Sequence, residues 1–174
     1  MKSQFLSFII ISLSTILPLS ALSEPLSLAV SIPARNGEHI LDSAHNPRFY
    51  VILSNTTNYP QRVWAPWSQA SYRALSFEFK EKDGKTWKAT PKEWEGVSHK
   101  LPEICELQPG ECIVFEIDYS NKNAWENFPT PIANDSQISI QAVFENAPET
   151  THDKHQVWSG KIVSRSLTVT IRPR

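Results

Sequence analysis

Few residues in this chain have types and spacing that could do chemistry. Of the histidines His39, His45, His99, His152 and His155, only His152 and His155 cluster, in His152-Asp153-Lys154-His155. Two imidazoles and a carboxylate can begin a metal site, but a closed one needs a further ligand, and no candidate stands nearby. The stretch reads as a solvated polar loop, and no metal site is assigned. The one methionine is Met1, so the Met/His clusters of soft copper sites are missing. There is no Gly-x-Ser-x-Gly elbow and no Ser-x-x-Lys pair. The glycines are scattered singly, which does not make a phosphate cradle. Paired carboxylates for glycoside chemistry would have to come from Glu78, Glu81, Glu93, Glu95, Glu116 and Asp118. On alternating strands the simpler reading of these acids is the solvent-facing parity. No cofactor and no catalytic residue are assigned.

The tryptophans are more informative. Trp64, Trp87 and Trp158 lie within strand patterns and read as core or half-buried packing, whereas Trp67, Trp94 and Trp125 fall in loops. A loop tryptophan can stack on a sugar ring or anchor a protein partner. It can equally plug the open end of a small sandwich, and plugging is the favoured reading for each ring. Trp64-Ala65-Pro66-Trp67, followed by Tyr72, is the aromatic cluster most open to solvent. Trp64, Trp67, Tyr72, Trp94 and Trp125 are therefore the candidate ligand-binding residues.

The compartment follows from the N-terminus. Lys2 supplies a positive start, Phe5 to Leu19 is mostly apolar, and Ala21-Leu22-Ser23 places small residues around a cleavage point. Residues 1–23 read as a secretory signal peptide, and the serine-broken apolar run is short for a membrane span. No later stretch is apolar enough to span, so the mature chain is expected to be exported, periplasmic or secreted. Residues 24–174 then form a single domain, in which 16 bases face 18 acids. That balance gives no electrostatic footprint for nucleic acid or anionic lipid. In an oxidising compartment the two cysteines, Cys105 and Cys112, are expected to form a disulfide. Turn geometry speaks against it. If Gln108-Pro109-Gly110-Glu111 is a two-residue hairpin, the cysteines are diagonal neighbours, and a direct bridge needs a longer loop or a bulge.

The elements that must position these residues are strands. Leu26 to Ile32 alternates, Arg48 to Ser54 is apolar on both faces, and Gln61 to Ala65 is short. Ala74 to Lys80 and Thr86 to Thr90 flank an Asp83-Gly84 hairpin turn. Ile113, Phe115, Ile117 and Tyr119 share a parity after Pro109-Gly110. Gln137 to Glu145 and Val157 to Ile171 complete the pattern, and Pro33 to Pro47 reads as a loop in which Ile40-Leu41 is expected to pack down on the sheet. About eight or nine short strands without helical periodicity point to an all-β, antiparallel, immunoglobulin-like β-sandwich, with a closed barrel as the alternative. Asn55-Thr56-Thr57 and Asn134-Asp135-Ser136 match the glycosylation sequon but read as turn chemistry.

Three segments carry a resemblance: Phe49 to Thr57, Leu107-Gln108-Pro109-Gly110-Glu111, and Val157-Trp158-Ser159-Gly160-Lys161-Ile162-Val163-Ser164. Together the chain resembles exported bacterial immunoglobulin-like or fibronectin-III-like sandwiches. The resemblance implies a fold and no catalytic residue, because such sandwiches host many functions. The expected function is a non-enzymatic binding or accessory module recognising a protein, or less readily a glycan, through aromatic loops or an edge strand. A small exported hydrolase with a loop-built site is one alternative. A structural domain of a surface assembly, completed by strand addition along Leu167–Arg172, is the other.

Overall fold

The computed structural model describes residues 24–42, 45, 47–92, 103–121, 123–129, 136–147 and 155–172. The signal peptide, Trp94, Glu93, Glu95, Asn134 and His152 lie outside them. The described chain is nearly all β, with one short helix.

A first sheet has the order β1 (Leu26–Ser31), β4 (Arg48–Asn55), β9 (Cys112–Asp118), all antiparallel. Register explains its buried face. Leu28 pairs with Leu53 and Leu53 with Ile113, while Val30 pairs with Val51 and Val51 with Phe115. With a side-chain period of two, one parity of each strand turns inward. A second sheet contains β6 (Leu75–Glu81), β7 (Thr86–Pro91), β11 (Ser136–Asn146) and β13 (Leu167–Arg172). Its order is β10 (Trp125–Glu126), β7, β6, β11, β13, β3 (Glu38–Asp42), β2 (Ala34–Arg35), and β12 (Gly160–Val163) also pairs with β11. The inward parities of the two sheets meet in one core. Phe49 lies edge-on to Phe77 at 5.2 Å, and Phe115 approaches Phe144 at 6.1 Å. Each buried Phe or Leu stabilises the fold by about 1.5–3 kcal/mol.

Two parts of the chain depart from the strand pattern expected above. Pro33 to Pro47 is not merely a loop: Asn36 and Gly37, both at positive φ, turn β2 into β3, and Ile40 and Leu41 are buried. β3 then pairs in parallel with β13, Ile40 opposite Thr170 and Leu41 opposite Ile171. β13 therefore lies between β11 and β3, so Leu167–Arg172 is not the open edge that strand addition would require. The second departure is α1 (Gln69–Ala74), capped by Ser68, whose Oγ accepts from Ser71 N–H at 3.2 Å.

The expected disulfide is absent: both thiols are free. The Pro109-Gly110 turn does not join a hairpin. β8 (Ile104–Leu107) pairs with β5 (Gln61–Trp64), and β9 pairs with β4. Cys105 thus stands opposite Val63 while Cys112 stands opposite Ser54, on different sheets. The turn itself is ordinary. Glu111 N–H donates to Gln108 O at 3.0 Å, with Pro109 second and Gly110 third at φ +80, as a type II turn requires.

What separates the two ladders is Asn55, which is 2% exposed. Its N–H donates to Glu111 O at 3.0 Å, and its carbonyl accepts from Gly110 N–H at 3.1 Å. Its Nδ2 donates to Tyr59 O at 2.8 Å and Leu107 O at 3.0 Å, and its Oδ1 accepts from Thr57 N–H at 2.9 Å and from the Thr57 hydroxyl. The side chain takes the place of a ladder rung where two strands change partners together. The Asn55 sequon is turn chemistry, with its amide nitrogen already committed.

Candidate functional site

The five candidate aromatic residues meet different fates. Trp64 ends β5 and is buried, with His155 edge-on at 6.1 Å. The segment carrying His155 is tied to β5 by Trp158 N–H, which donates to Arg62 O at 2.7 Å. Trp125 is 3% exposed, because β10 pairs with the end of β7 and turns the indole into the core. There it lies 5.1 Å from Phe77 and 5.2 Å from Phe128. Tyr72, on α1, is half-buried against Trp125 at 5.0 Å. Burial pushes its phenol up to about 12 from 10.0, since the charged phenolate loses its water. Trp125, Tyr72 and Phe128 plug one end of the core. Trp94 lies outside the described residues.

Trp67 is the exception, at 73% exposed. Its position is set by the β5–β8 ribbon. Trp64 pairs with Ile104, and the ladder runs one rung further, Ala65 N–H donating to Glu103 O at 2.8 Å. Ser68 N–H then donates to Ala65 O at 2.8 Å, folding Pro66 and Trp67 into a tight turn before α1. This brings the Trp67 indole Nε1–H onto the exposed Glu103 carboxylate. A charge-assisted hydrogen bond of this kind fixes ring orientation. The ring lies largely in solvent, tethered at its indole N–H.

Glu103 carries no sequence signal, standing thirty-six positions from Trp67. Only the pairing of β5 with β8 brings the two together.

The acids read as solvent-facing behave accordingly where they are described. Glu78 and Glu116 are exposed, and Glu116 bridges to Arg48 at 3.1 Å. Asp118 accepts from Ser120 N–H at 2.9 Å. Among the described residues no group of three His, Cys, Asp or Glu side chains could hold a metal ion, and no helix is long and apolar enough to cross a membrane.

The chain matches no protein-family model, and no curated protein sequence matches it.

Proposed function

We propose that this chain is an exported, immunoglobulin-like binding module that engages a protein partner through the loop carrying Trp67. The strand orders support the immunoglobulin-like part. β1-β4-β9 facing β7-β6-β11-β13 corresponds to strands A-B-E facing C′-C-F-G of that architecture. The early strand that crosses to pair with the last one is consistent with it. The observation that carries the binding role is the Trp67–Glu103 pair. A large ring at 73% exposure gives up burial worth about 1.5–3 kcal/mol. A carboxylate aimed at its indole N–H nevertheless holds it in one orientation. Pre-ordered aromatic rings are the usual anchors of protein interfaces, because little entropy is lost when they dock.

The test is affinity capture from the exported proteins of the native host with wild type and Trp67→Ala. A partner retained by wild type and lost by the variant, with both equally folded, is the expected result. Identical captured proteins, or none from either bait, would reject Trp67 as the anchor.

A further inference from the structure

The β5–β8 ribbon that carries Trp67 has an outer side, along β8, with no strand against it among the described residues. Antiparallel ladders bond alternate pairs of residues, and Ala65 N–H on Glu103 O fixes the phase here. Ala65 with Glu103, Val63 with Cys105 and Gln61 with Leu107 are then the bonded pairs, so Ile104 and Glu106 turn their N–H and C=O groups away from β5. On the β5 side an equivalent outward group is in use, Arg62 O accepting from Trp158 N–H at 2.7 Å. On the β8 side the outward groups of Ile104 and Glu106 form no backbone bond among the described residues. The strand, Ile-Cys-Glu-Leu, has no lysine or proline to guard this edge.

The Trp67 turn stands at the end of this edge. Glu103, next to Ile104, gives one carboxylate oxygen, Oε2, to the indole N–H. Among the described residues its other oxygen takes no hydrogen bond, and Glu103 enters no ion pair. An uncommitted carboxylate oxygen therefore lies beside an indole that is 73% exposed. Glu106 is exposed on the same strand, three residues on, where its carboxylate accepts from the Gln108 amide.

Resting on the reading that Trp67 anchors a protein partner, we infer that the partner supplies an extended segment, which adds to the free edge of β8 and lays an arginine on the Trp67–Glu103 pair. The outward N–H and C=O groups of Ile104 and Glu106 call for another backbone in strand conformation. The indole attracts a cation through its quadrupole, and tryptophan does so most strongly of the aromatic side chains. The open Glu103 oxygen adds an acceptor beside the ring. A guanidinium meets both at once, since it is planar, stacks on aromatic rings and presents its N–H donors in a fixed fork. A lysine ammonium is a point charge and cannot stack flat. An acidic segment would meet Glu103 and Glu106 with like charge. A second copy of this chain would bring the same two carboxylates to the same edge.

The probe is the acetylated, amidated peptide Thr-Val-Arg-Val-Thr, titrated into ¹⁵N-labelled protein, with the Trp67 indole N–H and the Ile104 and Glu106 amides read by NMR. Saturable shifts of all three are expected, with slowed exchange at the two amides. Citrulline in place of the peptide's arginine keeps the shape and removes the charge, and should weaken binding about fivefold, the scale of an exposed ion pair joined to a cation–π contact. Glu103→Gln still accepts the indole N–H through its amide oxygen. It should weaken the arginine peptide about as much and the citrulline peptide not at all. Trp67→Ala should weaken the arginine peptide further. No saturable shift at millimolar peptide overturns the inference. So do equal affinities for the two peptides, shifts at the indole without any at Ile104 and Glu106, or self-association of the free protein that Trp67→Ala abolishes. A host protein captured by wild type and lost by Trp67→Ala, while the arginine peptide fails, keeps Trp67 as the anchor and rejects the arginine.

Discussion

Trp125 and Trp67 have similar sequence surroundings, each in a polar loop with a proline close by, yet the structure treats them as opposites. Trp125 is drawn into the core by a two-residue strand and held by Phe77, Phe128 and Tyr72. Trp67 is held out by one carboxylate. The contrast teaches that exposure is decided by what the neighbouring strand offers. Beside Trp125 the sheet offers rings. Beside Trp67 it offers a polar edge, where the Ala65–Glu103 rung ends the ribbon.

The contrast can be broken by mutation. Trp125→Ala should cost about 3–5 kcal/mol, the range for emptying a large aromatic site in a core, read from the denaturant midpoint. A loss near zero would mean that the plug does not hold that end. Asn55→Ala should cost about 1–3 kcal/mol for the loss of its buried bond to the Leu107 carbonyl, the Tyr59 carbonyl keeping the Thr57 hydroxyl at 2.8 Å. This places a polar pin close to an aromatic plug in importance, and a loss well under 1 kcal/mol would mean water replaces the amide.

Tyr72 gives a milder test. Its folded pKa lies at about 12, above the ordinary 10.0, so the folded state keeps the proton longer than the unfolded chain. The associated stability is fully present below pH 10 and is lost as pH rises towards 12. Tyrosinate absorption should show the Tyr72 phenol titrating late, and Trp125→Ala should bring that titration back towards 10. The smallest effect belongs to Trp67→Ala, which should shift stability by no more than about 0.5 kcal/mol. A loss comparable to that of Trp125→Ala would erase the distinction between the two rings.

Much of the strand content was legible because it rests on local alternation. Ile113, Phe115 and Ile117 are buried in turn, as their parity requires. α1 was not legible, because six residues are too few to display a 3.6-residue period. The route of β8 and β9 was hidden for a different reason. A Pro-Gly turn between two strands looks the same whether the strands pair or part, and the deciding group is the side chain of Asn55, fifty-two positions from Leu107. The disulfide expectation failed at that point, since compartment and spacing are silent about which sheet each cysteine joins. Which ring is buried and which is exposed depends on partners supplied from distant strands, Phe77 for Trp125 and Glu103 for Trp67, and no local pattern announces them.

The parallel pairing of β3 with β13 has a mechanical consequence. In a parallel pair, the N-terminal end of one strand and the C-terminal end of the other lie at opposite ends of the ladder. Tension pulling β3 and β13 apart through their outer ends would load the Ile40–Asp42 and Thr170–Arg172 rungs in shear, all together. An antiparallel pair pulled from its adjacent ends unzips one rung at a time. A chain whose early and late strands meet this way resists stretching along the line joining them.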